Sequence, residues 1–96
     1  MTLENLLEKI VEVDGSDLHI TVGTPPRVRK NGALIPMGDE KLMPDVVKSM
    51  VESKMNPEQL KRFNNGEEID YSIGIPGLSR FRVNVFSQRG NIAAAY

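Results

Sequence analysis

The sequence contains no cysteine or tryptophan, and His19 is its single histidine. Without cysteine the chain has no disulfide framework, thiolate nucleophile, iron–sulfur cluster or cysteine-ligated zinc site. No apolar run approaches the ~20 residues of a membrane span, and the start Met1-Thr2-Leu3-Glu4 lacks the basic region of a signal peptide. We therefore expect a small soluble domain that is cytoplasmic and is not inserted in a membrane.

Neither of the common phosphate-binding loops occurs in the chain. There is no G-x-x-x-x-G-K-[ST] segment and no G-x-G-x-x-G turn, so the chain lacks both usual backbone cradles for a nucleotide. Phosphoryl transfer needs a cradling loop, its lysine and a Mg²⁺ site. We expect the chain alone to hydrolyse no ATP and to carry no catalytic residue, metal or cofactor of its own.

What the chain does contain is enough apolar sequence for one core. Its 96 residues are 40% hydrophobic and 26% charged, with a net charge of -1. This composition is typical of a single folded domain, and the near-neutral balance gives no sign of a nucleic-acid partner.

Apolar periodicity predicts three helices. The first has an apolar stripe at i, i+3, i+4, i+7 and i+8, formed by Leu3, Leu6, Leu7, Ile10 and Val11. Thr2 can cap its start, and Asp14-Gly15 ends it. A second helix begins at Pro44, poorly capped by Met43, and buries Val47, Met50 and Val51. The third begins at a capping box in Asn56-Pro57-Glu58-Gln59, turns Leu60 and Phe63 inward, and ends at Asn64-Asn65-Gly66.

Alternation with a period of two predicts the strands. One such run contains Leu18, Ile20 and Val22, and Asn31-Gly32 predicts a type I′ hairpin turn between residues 27–30 and 33–35. The last third alternates again through Ile69–Ile75 and Phe81–Val85, with a further turn at Gly90-Asn91. The order predicts an α+β domain, with a largely antiparallel sheet and helices packed on one face.

The charges are segregated along the chain. Residues 79–96 hold three arginines and no acid, and residues 27–30 add three more positive charges, whereas the other segments are acidic. Arg80 and Arg82 are two apart in a predicted strand and share the face opposite Phe81, with Arg89 beside a turn glycine. Arginine binds phosphate oxygens through its planar fork of donors, so the three predict an anion site. The alternative is that they form ordinary surface ion pairs with the acidic middle segment.

Three other kinds of site are weaker interpretations. Ser16, Asp17 and His19 contain the residue types of a hydrolase triad, but triads are assembled from distant segments. Asp17 and His19 together fall short of a specific zinc site, and a structural hydrogen bond of His19 is the simpler expectation. The string R-F-R-V-N-V-F has the aromatics of an RNA-recognition strand but not its glycines.

Two strings carry a resemblance that covers nearly the whole chain. S-D-L-H-I is followed by P-P, and P-G-L-S-R-F-R-V-N-V-F is followed by Q-R-G. In order and spacing they resemble the N-terminal domain of PilT-type pilus-retraction ATPases, which belong to the type II/type IV secretion ATPase superfamily. The resemblance implies a PAS-like fold. It also implies that residues 1–96 are a single N-terminal domain, and that the RecA-like ATPase domain is absent from this chain.

The same resemblance implies a function for the longer parent. That parent would be a cytoplasmic homohexameric motor for twitching motility, using ATP and Mg²⁺ and lying at the inner membrane beside the pilus assembly machinery. Its N-terminal domain would contact the RecA-like domains of its own and neighbouring subunits, move as a rigid lever and supply Arg80, Arg82 and Arg89 to the nucleotide phosphates. The alternative is a freestanding PAS-like domain that senses a ligand or docks a protein, with no motor.

Overall fold

The computed structural model describes residues 2–96, which form three helices and six strands. The helices are α1 (Leu3–Glu12), α2 (Pro44–Glu52) and α3 (Pro57–Asn64). The strands are β1 (Asp17–Thr21), β2 (Arg27–Lys30), β3 (Ala33–Pro36), β4 (Ile69–Ile75), β5 (Ser79–Gln88) and β6 (Asn91–Ala95). Within this part of the chain no helix has the length and apolarity needed to cross a bilayer.

All six strands form one antiparallel sheet in the order β3-β2-β1-β6-β5-β4. The first and last strands lie side by side at its centre, where His19 is opposite Ala95 and Thr21 is opposite Ala93. This pairing joins a block made of β1, β2 and β3 to a block made of β4, β5 and β6. The predicted α+β class with an antiparallel sheet is confirmed.

One face of the sheet carries the core. The strand residues that alternate with the charged ones pack with the helices into a single hydrophobic cluster. Helix α1 lies against β1, α2 against β6 and α3 against β4. The strand contribution to this inner face includes Leu18, Ile20, Ile69, Val83, Val85 and Ala94. Val47 and Val51 of α2 are fully buried against it, as predicted. The predicted packing of helices on one face is therefore confirmed.

Tyr71 and Tyr96 are two aromatic side chains packed into this interior. Each hydroxyl is buried and has no hydrogen-bond partner among residues 2–96. Burial raises the pKa of Tyr71 to about 12. Burial, together with the neighbouring Tyr71, raises the pKa of Tyr96 well above its usual range.

The helix ends follow the predicted chemistry, with two corrections in α1. Asn56 and Gln59 form the predicted capping box, whereas Met43 gives α2 no side-chain cap. The prediction that Val11 belongs to the buried stripe is wrong: it is 48% exposed, because the core contacts only the narrower stripe from Leu3 to Ile10. The left-handed position after α1 is taken by Asp14 and not by glycine.

Gly15 is required for a different reason. Its amide donates to the carbonyl of Ile10 at 2.8 Å, which completes a Schellman ending with Asp14 in the left-handed conformation. A Cβ on Gly15 would lie 2.4 Å from Cγ2 of Val28. The glycine therefore permits the end of α1 to approach β2.

Two hairpin turns have both central residues at positive φ. Asn31 and Gly32 have φ of 53° and 81°, as the predicted type I′ turn requires. The turn between β5 and β6 is centred on Arg89 and Gly90, with φ of 53° and 79°, because Gln88 pairs with Asn91. The prediction of Gly90-Asn91 as this turn is thus wrong by one residue.

The close approach at Gly15 gives a stability prediction. Gly15→Ala should lower the free energy of unfolding by about 1–3 kcal/mol, because the methyl group overlaps a β-branched side chain with little freedom to move. Combining it with Val28→Ala should cost clearly less than the sum of the two single changes. Urea unfolding followed by circular dichroism measures both. Additive effects would show that the methyl group does not meet Val28.

Candidate functional site

The outer face of the sheet, opposite the helices, carries the polar side chains. The register places one residue from each strand in a single row across it: Pro36, Arg27, His19, Ala95, Asn84 and Asp70. Asp17, Arg29 and Arg82 lie on the same face, two residues along their strands from this row, and Arg80 lies two residues beyond Arg82. The outer face is therefore the part of the fold where charged groups meet without a helix above them.

Arg80 and Arg82 are brought together on this face, as their spacing predicts. Arg82 holds Asp70 of β4 with two hydrogen bonds, Nε to Oδ1 at 3.2 Å and Nη2 to Oδ2 at 2.7 Å. Arg80 donates to Oγ of Ser72 at 3.0 Å, and its guanidinium lies over Gly74. The ion-pair interpretation of Arg82 therefore also has a geometric basis.

The pairing of Arg82 with Asp70 favours the charged form of both groups. The hydrogen bond from Arg82 lowers the pKa of Asp70, and the hydrogen bond to Asp70 raises the pKa of Arg82. Arg82 is nevertheless 84% exposed, so an incoming anion can reach its guanidinium. The carboxylate positions the arginine and leaves it accessible.

Arg89 lies apart from the other two. It is in the turn at the far end of β5, seven residues from Arg82, so the two Cα atoms are roughly 24 Å apart at about 3.4 Å per strand residue. A triphosphate is much shorter than that. The fold thus divides the three predicted site residues into a pair, Arg80 with Arg82, and a separate Arg89.

Asp17 is the centre of a second polar cluster. It accepts a hydrogen bond from Oγ of Ser16 at 2.7 Å, contacts Nε2 of His19 and forms an ion pair with Arg29 at 3.5 Å. The serine thus bonds to the carboxylate and not to the histidine, which is the wrong order for a hydrolase triad. The expected structural hydrogen bond of His19 is confirmed. Among residues 2–96 no three acidic or histidine side chains are grouped to hold a metal.

The environment of Asp17 lowers its pKa. Burial opposes ionisation, but the hydrogen bonds from Ser16 and His19 and the charges of His19 and Arg29 outweigh burial. A shallow cavity of about 410 Å³ runs from this cluster to Arg80 and Arg82. The arginine pair therefore shares its cavity with a carboxylate.

Arg27 is a candidate that the sequence reasoning did not single out. It lines a separate cavity of about 310 Å³ together with Arg89. The two residues belong to different hairpins, and the pairing of β1 with β6 brings them together. Only the strand order could have revealed this, since no local pattern links positions 27 and 89.

The chain is similar over nearly its whole length to two proteins of Pseudomonas aeruginosa. It is 39% identical over 89 residues to the type IV pilus ATPase PilU. The matched region is 93% of this chain and 23% of PilU. It is 33% identical over all 96 residues to the pilus retraction ATPase PilT, of which it covers 28%. The chain thus spans about a quarter of the length of these relatives, and it matches none of the family profiles with which it was compared.

Solved structures share the fold. The pilus retraction motor PilT with bound ADP superposes with a TM-score of 0.91 at 33% identity, over 99% of this chain and 28% of that one. The ATPase DotB of Legionella pneumophila superposes with a TM-score of 0.83 at 22% identity, over 99% of this chain and 29% of DotB, a likeness of fold alone.

The lowered pKa of Asp17 predicts a pH-dependent contribution to stability. Because the folded-state pKa lies below the usual 3.8, the contribution is present above about pH 4 and is lost as the pH falls through the folded-state value. Asp17→Asn should lower the free energy of unfolding by ~1 kcal/mol at pH 7 and by much less near pH 2. Urea unfolding at both pH values tests this, with exposed Asp39→Asn as the control. A loss that is equal at both pH values would contradict it.

The turn at Arg89 predicts that this arginine weakens the fold. A left-handed backbone costs most L-residues about 1–2 kcal/mol, and asparagine tolerates it best after glycine. Arg89→Asn should therefore raise the free energy of unfolding by ~1 kcal/mol. The matched change Arg80→Asn, within a strand, should not raise it. Thermal unfolding compares the two, and an unchanged or lower stability of Arg89→Asn would contradict the prediction.

Proposed function

The chain belongs with the N-terminal region of the PilT-type ATPases of the type II/IV secretion superfamily, and we propose that it is the N-terminal domain of a pilus-retraction motor. The observation that carries the proposal is the match of the whole chain to PilT with bound ADP, at a TM-score of 0.91 and 33% identity. In this proposal the RecA-like domain, the Walker residues and hydrolysis belong to the rest of a hexameric cytoplasmic protein, which acts with the pilus machinery at the inner membrane.

The residues of this chain fit the phosphates of a nucleotide. ATP with Mg²⁺ would supply the transferable phosphoryl group, and arginine forks match its oxygens. Arg80 and Arg82 are the pair that we assign to this contact, since one rigid strand presents both to the same side. We assign the binding of Mg²⁺ to the rest of the motor.

In this proposal Arg82 exchanges one partner, the carboxylate of Asp70, for another, the phosphate. In this structure Arg82 is held by Asp70, at 2.7 Å. A phosphate brought up by domain closure carries more negative charge than one carboxylate and would draw the guanidinium away from it. Because the ion pair is exposed, breaking it costs little. Nucleotide binding would in this way favour the closed arrangement, and product release would return Arg82 to Asp70 and let the domain move as a lever.

Arg89 enters the proposal in a separate role. It lies at the far end of β5 from Arg80 and Arg82, and for this reason we assign it to a separate contact. Arg89 would therefore act at a different anion from Arg80 and Arg82, whether in its own subunit or at a neighbouring one. A freestanding ligand-sensing domain, the alternative function, would need none of these arginines for turnover.

The proposal predicts the kinetics of arginine variants in the full-length protein that contains this domain. Arg80→Gln and Arg82→Gln should each lower the rate of phosphate release at saturating ATP by about tenfold or more, because a charge that stabilises the transferred phosphoryl group is lost.

The matched control is Arg62→Gln. Arg62 is also a surface arginine in an ion pair, with Glu67 at 3.2 Å, but it lies on α3. It should leave the rate unchanged, and circular dichroism should show that all three variants are folded. Rates within twofold of the unmodified protein for both Arg80→Gln and Arg82→Gln would overturn the assignment of these arginines to the nucleotide.

A further inference from the structure

A cavity of about 310 Å³ lies where the start of β2, the end of β1 and the turn between β5 and β6 meet. By liquid volume it has room for roughly ten water molecules. Its polar lining consists of hydroxyl, amide and guanidinium groups: Thr21, Thr24, Arg27, Gln88, Arg89 and Asn91. Among the described residues 2–96, none that lines it carries a carboxylate. In this respect it differs from the cavity beside Arg80 and Arg82, which includes Asp17.

Arg27 has unused hydrogen-bonding capacity in this cavity. Its Nε is buried and has no hydrogen-bond acceptor among the described residues 2–96. Its strand neighbours are His19 on one side and Pro36 on the other, and neither is an acid. Asp17, the nearest acid along β1, is occupied by Ser16, His19 and Arg29. A buried donor without an acceptor is unfavourable, and an anion in the cavity would remove that cost.

Arg89 lines the same cavity, although its backbone conformation in the turn is unfavourable for arginine. Position 89 has φ of 53°, where glycine or asparagine would be less strained. Backbone strain of this kind is kept where the surrounding structure imposes it, and it is common at ligand-binding positions. Arg89, which is unfavourable for the turn but rich in hydrogen-bond donors, thus lines the same cavity as Arg27.

We propose that Arg27 and Arg89 form a binding site for a phosphate-class oxyanion, with the hydroxyls of Thr21 and Thr24 as further donors. Two guanidinium groups supply fixed positive charge, and partial enclosure strengthens their attraction for an anion relative to an open surface. The occupant is inorganic phosphate, pyrophosphate or the phosphate end of a nucleotide, which all present the same oxygens.

This site does not depend on the proposed motor. It uses Arg89, which the proposed function leaves apart from the Arg80 and Arg82 pair, and it adds Arg27, to which that function gives no role. It would exist on the 96-residue chain even if that chain worked without any ATPase domain. The two proposals can therefore fail separately.

The test is a titration of the ¹⁵N-labelled 96-residue chain with pyrophosphate, followed by amide chemical shifts at constant ionic strength. We expect saturable shifts at Thr21, Thr24 and the turn at Arg89. Arg27→Gln and Arg89→Gln should each weaken binding at least fivefold, and Arg89→Lys should weaken it less. Arg62→Gln, on α3, should change it less than twofold. Parallel titrations with inorganic phosphate and ADP identify the source, since tighter binding of ADP indicates a nucleotide.

Three results would overturn the proposal. The first is the absence of saturable shifts with any of the three probes. The second is binding that Arg62→Gln weakens as much as Arg27→Gln, which would indicate a general response to anions. The third is saturable binding that maps to Arg80 and Arg82 and not to this cavity. None of them decides the ATPase experiment, which depends on Arg80 and Arg82 in the full-length protein.

Discussion

Burial of the inner face of the sheet is the constraint on which the remaining structure depends. Leu18, Ile20, Val83 and Val85 are fully buried beneath the helices, so β1 and β5 each have only one acceptable register. Side chains alternate along a strand, and a slip of one residue would turn Arg80 and Arg82 into the core. The hydrophobic effect that stabilises the domain therefore also keeps every strand arginine on the outer face. No separate interaction is needed to orient them.

That outer face has two chemically different regions. Near β4, Arg82 is already paired with Asp70 and Arg80 with Ser72, so an anion there must displace an existing partner. Near the turn between β5 and β6, Arg27 and Arg89 share a cavity whose lining, within residues 2–96, includes no acid. The first arrangement suits a contact that forms and breaks during a cycle. The second suits an anion that stays bound. One sheet can thus present a switchable and a resident anion contact about a strand's length apart.

Local chemistry made much of the fold predictable. Asn31-Gly32 and the capping box of Asn56 depend on neighbouring residues alone, and strict alternation located β4 and β5. The failures have physical causes. Whether Val11 is buried depends on the width of the core, and the turn was misplaced because arginine is uncommon at a left-handed position. Arg80 and Arg82 share a face through simple periodicity, but the meeting of Arg27 with Arg89 requires the order of strands. Their role at a phosphate remains a prediction.

The central pairing of β1 with β6 also determines when the domain can fold. On the β6 side, residues 19–21 of β1 pair with residues 93–95, so the sheet closes through one of the longest-range contacts that this chain can make. Such contacts slow folding, because a long loop must close before any stabilisation follows. On the ribosome, β1 to β3 would emerge early and wait with an exposed strand edge until β6 is synthesised. The same strand order that brings distant arginines together thus leaves a nascent chain in need of protection from aggregation.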